Sequence, residues 1–178
     1  MKKVLVVTGS PRRGGNSDLL AEAFIEGAQS AGCEVHRFDA GRAKIAGCLG
    51  CEYCFAHEGE CCQKDDMELV KPLLYEVDVL VFATPVYWYS WTAQIKAFID
   101  RMFCCVGKPF SFKTTALLAC YEDKVETPVE CLAVSYREIA KYAGWESLGE
   151  VLVGQVYKKG EVEQTDALER ARALGASL

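Results

Sequence analysis

Short apolar runs alternate with amphipathic segments along the whole of this 178-residue sequence. The first run, at 4–7, reads Val-Leu-Val-Val and precedes a segment at 17–30 whose apolar residues recur at helical spacing. Continuous apolar runs of this kind are typical of strands that are buried on both faces of a sheet. Strands that alternate with helices predict a parallel sheet covered by helices on both faces.

Five strands and five helical segments are predicted from this pattern. The strands lie at 3–8, 33–38, 79–83, 115–120 and 148–157. The helical segments lie at about 17–30, after Asp65, near 95–102, at 127–142 and at 162–174, and Asp65 and Thr127 are expected to cap two of them. We therefore predict an α/β fold, with a doubly wound five-stranded parallel sheet in three α/β/α layers. Residues 1–178 are expected to form one domain, since no repeat or linker interrupts them.

Charge and composition limit the classes of partner. The formal net charge is −5 and no block of basic residues occurs, so nucleic-acid binding has no electrostatic support. The first apolar run is interrupted at Thr8-Gly9-Ser10, too soon for a signal peptide, and no stretch is long enough to cross a bilayer. We expect a cytoplasmic protein with no membrane partner. Its ten cysteines are then predicted to be thiols or metal ligands rather than disulfides.

The loop after the first strand, residues 9–17, reads Gly-Ser-Pro-Arg-Arg-Gly-Gly-Asn-Ser and leads into the first helix. The start of a helix offers unpaired backbone N–H groups and a partial positive charge, both of which suit a phosphate. Hydrogen-bonding or charged side chains fill this loop: Ser10, Arg12, Arg13, Asn16 and Ser17. The sequence therefore predicts a phosphate site here, and an ordinary glycine-rich turn before a capped helix is the alternative.

The kind of phosphate ligand is narrowed by what this loop lacks. The spacing Gly9-x4-Gly14 is followed by Gly15, so the lysine of a nucleotide-triphosphate P-loop is missing. The dinucleotide pattern G-x-G-x-x-G is missing as well. A terminal monophosphate fits better than either.

A second loop, residues 84–91, follows the most hydrophobic strand and reads Thr-Pro-Val-Tyr-Trp-Tyr-Ser-Trp. In open α/β sheets, ligands bind at the carboxyl ends of the strands, where the strand order reverses. Four aromatic residues in five positions at such an end indicate a surface for a planar ring, a contact with a partner subunit, or a cover for the end of the sheet.

A third loop, at about 45–64, carries closely spaced cysteines: Cys48, Cys51, Cys54, Cys61 and Cys62. Thiolates spaced by two residues are able to meet at one small site, so an iron-sulfur cluster, a zinc ion and redox-active thiols all remain open. The cysteines outside this loop give weaker signals. Cys33, Cys120 and Cys131 are predicted to be small buried residues, and Cys104 and Cys105 have no assigned role.

In these three loops the chain resembles the flavodoxin-like NAD(P)H-dependent FMN reductase family, including its iron-sulfur flavoprotein branch. The resemblance rests on residues 9–17 and 84–88, on Lys-Ala-Phe-Ile-Asp-Arg at 96–101, and on the cysteine loop with Asp-Asp-Met at 65–67. It covers about the first hundred residues well and the rest mainly by the order of the elements.

The resemblance implies a flavodoxin-like fold that binds FMN. The implied phosphate contacts are Ser10, Arg12, Asn16 and Ser17, and the implied ring contacts are Pro85, Val86, Tyr87, Trp88 and Tyr121. It also implies a [4Fe–4S] cluster on Cys48, Cys51 and Cys54, with Cys61 or Cys62 as the fourth ligand. No catalytic side chain is implied, because the flavin itself carries the hydride or the electrons.

The predicted function is that of an FMN-dependent oxidoreductase or electron-transfer flavoprotein, with NAD(P)H as a donor. With a cluster, the partner is expected to be a protein such as a ferredoxin; without one, quinones, nitro compounds or free flavin are the expected acceptors. A non-enzymatic thiol or zinc redox sensor is the alternative from another class. Relatives form dimers or tetramers, and a homo-oligomer is expected here, with Tyr89, Trp91, Met102 and Phe103 at the interface or in the core.

Overall fold

The computed structural model describes residues 1–105 and 108–178. Its centre is a sheet of five parallel strands in the order β2-β1-β3-β4-β5. This strand order is that of flavodoxin-like proteins, so the predicted fold class is confirmed. The strands are β1 (Lys3–Thr8), β2 (Glu34–Phe38), β3 (Val79–Pro85), β4 (Thr114–Cys120) and β5 (Glu146–Val153).

Helices connect the strands. They are α1 (Asn16–Ser30), α2 (Tyr53–Ala56), α3 (Met67–Val70), α4 (Ala93–Arg101), α5 (Thr127–Ala143) and α6 (Ala167–Ala176). In the described residues, short 3-10 segments lie at Lys71–Tyr75, Met102–Cys105 and Glu161–Gln164. In residues 1–105 and 108–178, no helix combines the length and the apolar character that crossing a membrane requires.

The strands are buried on both faces, which explains their continuous apolar sequences. In β1, Val4 and Val6 pack with residues of α1 and α6, while Leu5 and Val7 pack with residues of α4 and α5. Successive side chains of a strand point to opposite faces, so one apolar run supplies both cores. The three predicted layers follow directly from this packing.

Several local predictions were wrong. The last strand ends at Val153 rather than 157, and the last helix is divided into a 3-10 turn and α6. Thr127 is not the cap residue of α5, which follows Glu126. The Asp65 side chain does cap the start of α3, since its Oδ1 accepts from the Met67 N–H at 3.1 Å. Among the three cysteines expected in the core, Cys120 is buried, Cys33 is half-buried and Cys131 is exposed. Cys131 lies on an amphipathic helix, where one residue of shift in register moves a side chain from core to solvent.

The sheet brings the predicted binding loops to one edge. Beyond the strand ends, the Gly9 N–H donates to Ala83 O at 2.8 Å and the Val86 N–H donates to Cys120 O at 2.8 Å. These bonds hold the loops after β1, β3 and β4 side by side. In the sheet, β2 lies on one side of β1 and β3 lies on the other, so the strand order changes direction at β1. A doubly wound sheet binds its ligands beside this change of direction, which is where these loops lie.

Candidate functional site

A cleft of about 480 Å³ lies at this edge of the sheet. Its volume is within the usual range for small-molecule and cofactor sites. All of the residues predicted to contact FMN line the cleft: Ser10, Arg12, Asn16, Ser17, Pro85, Val86, Tyr87, Trp88 and Tyr121. Three loops that are far apart in sequence therefore form one site.

One end of the cleft, where the phosphate is predicted, is formed by the start of α1. Gly15 is the residue before this helix, and it has no side chain to accept the first N–H groups. Gly14 adopts a left-handed conformation with φ of 60°, and its N–H donates to Asp18 Oδ2 at 2.6 Å. The Arg12 N–H donates to Ser10 Oγ at 3.1 Å, which fixes the other side of the loop. The loop is thus held by its own bonds while the helix start stays available to an anion.

The Asn16 side chain is used differently from the prediction. Its Nδ2 donates to Lys158 O at 3.0 Å, and its Oδ1 accepts from the N–H groups of Gly160 at 3.1 Å and Val162 at 3.3 Å. The amide therefore fastens the loop after β5 to the start of α1. What Asn16 offers to a phosphate is its backbone N–H.

The charges around the cleft differ between its loops. Arg12 and Lys159 supply cations near the start of α1, while Glu122 and Asp123 line the cleft from the loop after β4. The Arg12 guanidinium lies 5.8 Å from the ring centroid of Tyr157, within the range of a cation–π contact. Tyr157 and Lys159 were missed from the sequence, because residue 157 was assigned to the last strand.

The aromatic loop is a tight turn with a strained backbone. The N–H groups of Tyr87 and Ser90 each donate to the carbonyl oxygen of the other at 3.0 Å. Between them, Trp88 and Tyr89 have φ angles of 47° and 62°, as in a two-residue type I′ turn. Glycine, asparagine and aspartate favour such turns, and a left-handed conformation costs other residues about 1–2 kcal/mol each. Strain of this kind is concentrated at functional sites.

The turn presents its aromatic rings unequally. Trp88 is 95% exposed, whereas Trp91 is buried and its Nε1 donates to Ser135 Oγ at 3.1 Å. Of the other residues expected at an interface or in the core, Met102 is buried, and Tyr89 and Phe103 are exposed. Trp91 and Met102 are therefore core residues, and Trp88 is the large apolar side chain that this edge of the sheet leaves most open to solvent.

Tyr121 forms a wall of the cleft because of the residue opposite it. A Cβ atom at Gly154 would lie 2.7 Å from the Tyr121 ring, so any side chain there would displace the ring. The Tyr121 N–H donates to Val153 O at 2.9 Å, which continues the pairing of β4 with β5. The ring position is thus set by a glycine that the sequence pattern did not single out.

A second, smaller cavity lies in the cysteine loop. Of the five cysteines predicted as candidate ligands, Cys48, Cys51, Cys54 and Cys61 line it, and Cys104 from the 3-10 segment after α4 joins them. Cys62 is exposed and does not line this cavity, although its Sγ lies 3.7 Å from Cys51 Sγ. A backbone hydrogen bond from Tyr53 lowers the pKa of Cys51, whereas burial raises the pKa of Cys54.

The donor set of this cavity suits a thiolate-bound centre. Four cysteines match the ligand number of a [4Fe–4S] cluster and also that of tetrahedral zinc. The thiol side chains that line the cavity therefore fit such a group by their chemistry. In the described part of the chain, however, no three or more His, Cys, Asp or Glu side chains stand in a ligating arrangement, so the structure gives no coordination geometry for it.

Comparison with protein families gives a match to the NADPH-dependent FMN reductase family over residues 2–125. Among individual relatives, an iron-sulfur flavoprotein of Archaeoglobus fulgidus is 42% identical over 100 residues, which are 56% of this chain and 45% of that protein. An iron-sulfur flavoprotein of Methanosarcina thermophila is 31% identical over 111 residues, 62% of this chain and 58% of that protein. The chain thus spans about half the length of the curated relatives that it matches.

Solved structures support the fold over nearly the whole chain. An NAD(P)H:quinone oxidoreductase from Methanothermobacter marburgensis superposes with a TM-score of 0.78 at 20% identity, covering 98% of this chain and 94% of that one. An azoreductase from Bacillus anthracis superposes with a TM-score of 0.75 at 20% identity, covering all of both chains (100% each). At this level of identity the similarity concerns the flavodoxin-like fold.

Proposed function

Because the chain belongs to the NADPH-dependent FMN reductase family, we propose that it is an FMN-dependent oxidoreductase and that FMN binds in the cleft of about 480 Å³. One observation carries this proposal. The uncapped start of α1, which follows β1, and the strained aromatic turn, which follows β3, line the same cleft. FMN has a phosphate at one end and a flat ring at the other, so the two features match its two parts.

The residues then have separate roles. The backbone N–H groups at the start of α1, the Ser10 and Ser17 hydroxyls and the Arg12 guanidinium hold the phosphate. The backbone of 85–88 and the ring of Tyr121 position the flavin. Bound FMN supplies the hydride and single-electron chemistry, so no side chain has to act as a general acid or base.

NAD(P)H is the proposed electron donor. The family's description names NADPH, and the cleft is open to solvent beside the exposed Trp88. An open face over the ring is what a nicotinamide needs in order to approach the flavin. The matching acceptor is a quinone, a nitro compound or free flavin if no cluster is present.

For the cysteine loop we propose a [4Fe–4S] cluster on Cys48, Cys51, Cys54 and Cys61. Support comes from the relatives named iron-sulfur flavoproteins and from the cavity that these four cysteines line together with Cys104, and that Cys62 does not line. Such a cluster exchanges single electrons, so the partner of this form is a protein electron carrier such as a ferredoxin. We further propose a homodimer or homotetramer, with Tyr89 and Phe103 exposed for the contact.

A second candidate is a cluster-free reductase whose cysteines act as redox thiols. The exposed pair Cys51 and Cys62, with sulfurs 3.7 Å apart, favours it. A non-enzymatic sensor fits less well, because a sensor has no use for the FMN-shaped cleft.

Anaerobic mixing of the FMN-loaded protein with NADPH or NADH tests the activity. We expect the oxidised-flavin absorbance to be lost much faster than for free FMN at the same concentrations, and a quinone to restore it. Reduction no faster than that of free FMN, by either nucleotide, would contradict the proposed donor. Reduction by a ferredoxin alone would instead identify an electron-transfer flavoprotein.

A further inference from the structure

Arg101, the last residue of α4, is a buried cation beside the cysteine loop. It is 2% exposed. Its Nη1 donates to Ala46 O at 3.0 Å and to Asp65 Oδ2 at 2.6 Å. Its Nη2 donates to Gln63 O at 3.4 Å and to Asp65 Oδ1 at 3.2 Å. One guanidinium therefore contacts three residues that lie outside its own helix.

These contacts bracket the cysteine loop. Ala46 precedes Cys48, and Gln63 follows Cys62, so Arg101 contacts the chain where the loop begins and where it ends. The two ends also contact each other. The Ala46 N–H donates to Asp65 Oδ2 at 3.0 Å, and Gln63 Nε2 donates to Gly47 O at 3.0 Å.

Within the loop, Lys71 Nζ anchors the part near Gly59, donating to Gly59 O at 2.8 Å. The part around Cys48 and Cys51 has less support. Cys48 and Cys51 are exposed, and the short helix Tyr53–Ala56 buries none of its residues. The geometry around Cys48 and Cys51 therefore depends on the closed neck more than on packing within the loop.

One atom of Arg101 has no partner. Its Nε is buried and finds no acceptor among the described residues, although both of its terminal nitrogens are paired. A buried donor without an acceptor is costly, and more so when it carries charge. Arg101 also lines the cysteine cavity, beside Cys61 and Cys104. An anionic sulfur in that cavity would be an acceptor for this N–H.

We propose that Arg101 is the positioning residue of the cysteine loop and that its Nε–H donates to sulfur of the occupied cavity; the second role rests on the proposed cluster. The neck contacts hold the ligand cysteines around one cavity. The hydrogen bond and the positive charge stabilise the reduced, more negative form of a cluster, and so they raise its reduction potential.

The first test uses cluster-free protein, so that it does not depend on iron. Hydrogen exchange of the backbone at 46–64 is compared between wild type, Arg101→Gln and Arg101→Lys. The control is Lys96→Gln, which removes an exposed cation of the same helix that pairs with Asp100. We expect Arg101→Gln to speed exchange at 46–64 about tenfold or more, with the sheet unaffected. Unchanged exchange in both Arg101 variants would overturn the positioning role.

Arg101→Lys keeps the charge and is the variant to use if Arg101→Gln does not fold. A lysine has no planar fork, so it cannot contact both ends of the neck and the carboxylate together. We expect intermediate exchange from it.

The second test uses anaerobically purified protein that contains iron, and measures the cluster's midpoint potential. A tenfold loss of preference for the reduced form in Arg101→Lys would lower the potential by about 59 mV. An unchanged potential in a variant with full iron and sulfide content would overturn the donor role. If the purified wild type contains FMN but no iron, the proposed cluster and the donor role are both wrong. The exchange experiment still tests the positioning role in that case.

Discussion

Asn16 donates from its side-chain amide to the carbonyl oxygen of Lys158 across 3.0 Å, and so joins the start of the first helix to the loop after the last strand. That loop contributes Tyr157 and Lys159 to the cleft. The start of α1 and one wall of the cleft are therefore a single hydrogen-bonded unit.

Replacing Asn16 by alanine should act through this unit. Asn16→Ala leaves the N–H groups of Gly160 and Val162 without their acceptor, so we expect a loss of about 1–3 kcal/mol of stability. FMN affinity should fall as well, because the wall of the cleft loosens. Urea unfolding and a fluorescence titration with FMN measure the two effects.

Asn16→Asp is the matched variant, since it keeps the acceptor oxygen and loses only the bond to Lys158. We expect it to be more stable than Asn16→Ala but to bind FMN poorly, because a carboxylate is placed beside the phosphate. Should Asn16→Ala lose FMN with no change in unfolding free energy, the side chain would contact the phosphate directly and our account of it would be wrong.

Arg12 should matter to FMN more than to riboflavin. A hydrogen bond to a charged group is worth about 1.5–3 kcal/mol, so Arg12→Ala should weaken FMN binding about 10- to 100-fold. Riboflavin lacks the phosphate and should bind almost equally to both proteins. Arg13→Ala is the control, because Arg13 is exposed and does not line the cleft. An equal loss of riboflavin binding in Arg12→Ala would place Arg12 at the ring instead.

Substitutions of Trp88 should affect the stability of the protein and its FMN affinity differently. Trp88 has a φ of 47°, which glycine adopts without strain. Trp88→Gly should therefore be more stable than Trp88→Ala by about 1 kcal/mol, while both lose the aromatic surface and bind FMN more weakly. Thermal unfolding of the two variants measures the difference. Trp88→Ala as the more stable of the two would show that this turn is not strained in solution.

The ion pair of Asp65 and Arg101 predicts a dependence on acid. Burial alone would raise the pKa of Asp65. The hydrogen bonds from Arg101 and from the N–H groups of Ala46 and Met67, together with the charge of Arg101, outweigh burial, and the pKa lies below the ordinary value of 3.8. A carboxylate whose pKa is lowered on folding stabilises the protein above its unfolded pKa, and this contribution is lost as the pH falls through the folded pKa.

Asp65→Asn tests this prediction, since it leaves the buried Arg101 without its charge partner, at a cost of about 3–5 kcal/mol near neutral pH. The difference in unfolding free energy from wild type should shrink as the pH falls below 3.8. A difference that stays constant across this range would mean that Asp65 does not titrate as an ion-pair partner.

The two adjacent cysteines at the end of the loop should behave differently. Cys61 lines the cysteine cavity and Cys62 does not, so Cys61→Ser should lose iron while Cys62→Ser retains it. Iron and acid-labile sulfide per chain, measured after anaerobic purification, decide this. If Cys62→Ser loses iron and Cys61→Ser retains it, Cys62 rather than Cys61 is the fourth ligand.

The fold was predictable because its signals are local and repeated. Runs such as 4–7 and 79–83 are apolar throughout, and only a strand buried on both faces explains such runs between amphipathic helices. The cleft followed from the fold, since the loops after the first and third strands had to meet at one edge. The end of the last strand, at Val153 rather than 157, was predicted less well, because the buried Val156 continues the apolar pattern into the loop beyond it.

Long-range contacts account for what the sequence could not indicate. The bond of Asn16 to Lys158 joins residues 142 positions apart. Arg101 reaches back to Ala46, 55 positions away. Cys104 lines the cysteine cavity because the 3-10 segment after α4 lies beside it. No spacing rule relates such residues, and their roles become visible only in three dimensions.

The measurement that tests the central claim most directly is the absorption spectrum of anaerobically purified protein, with the released cofactor identified. We predict resolved flavin bands on a broad brown background, with one FMN per chain released on denaturation. Flavin bands without the brown background would support the proposed FMN oxidoreductase and contradict the proposed cluster. A colourless protein that also fails to take up added FMN would contradict the account.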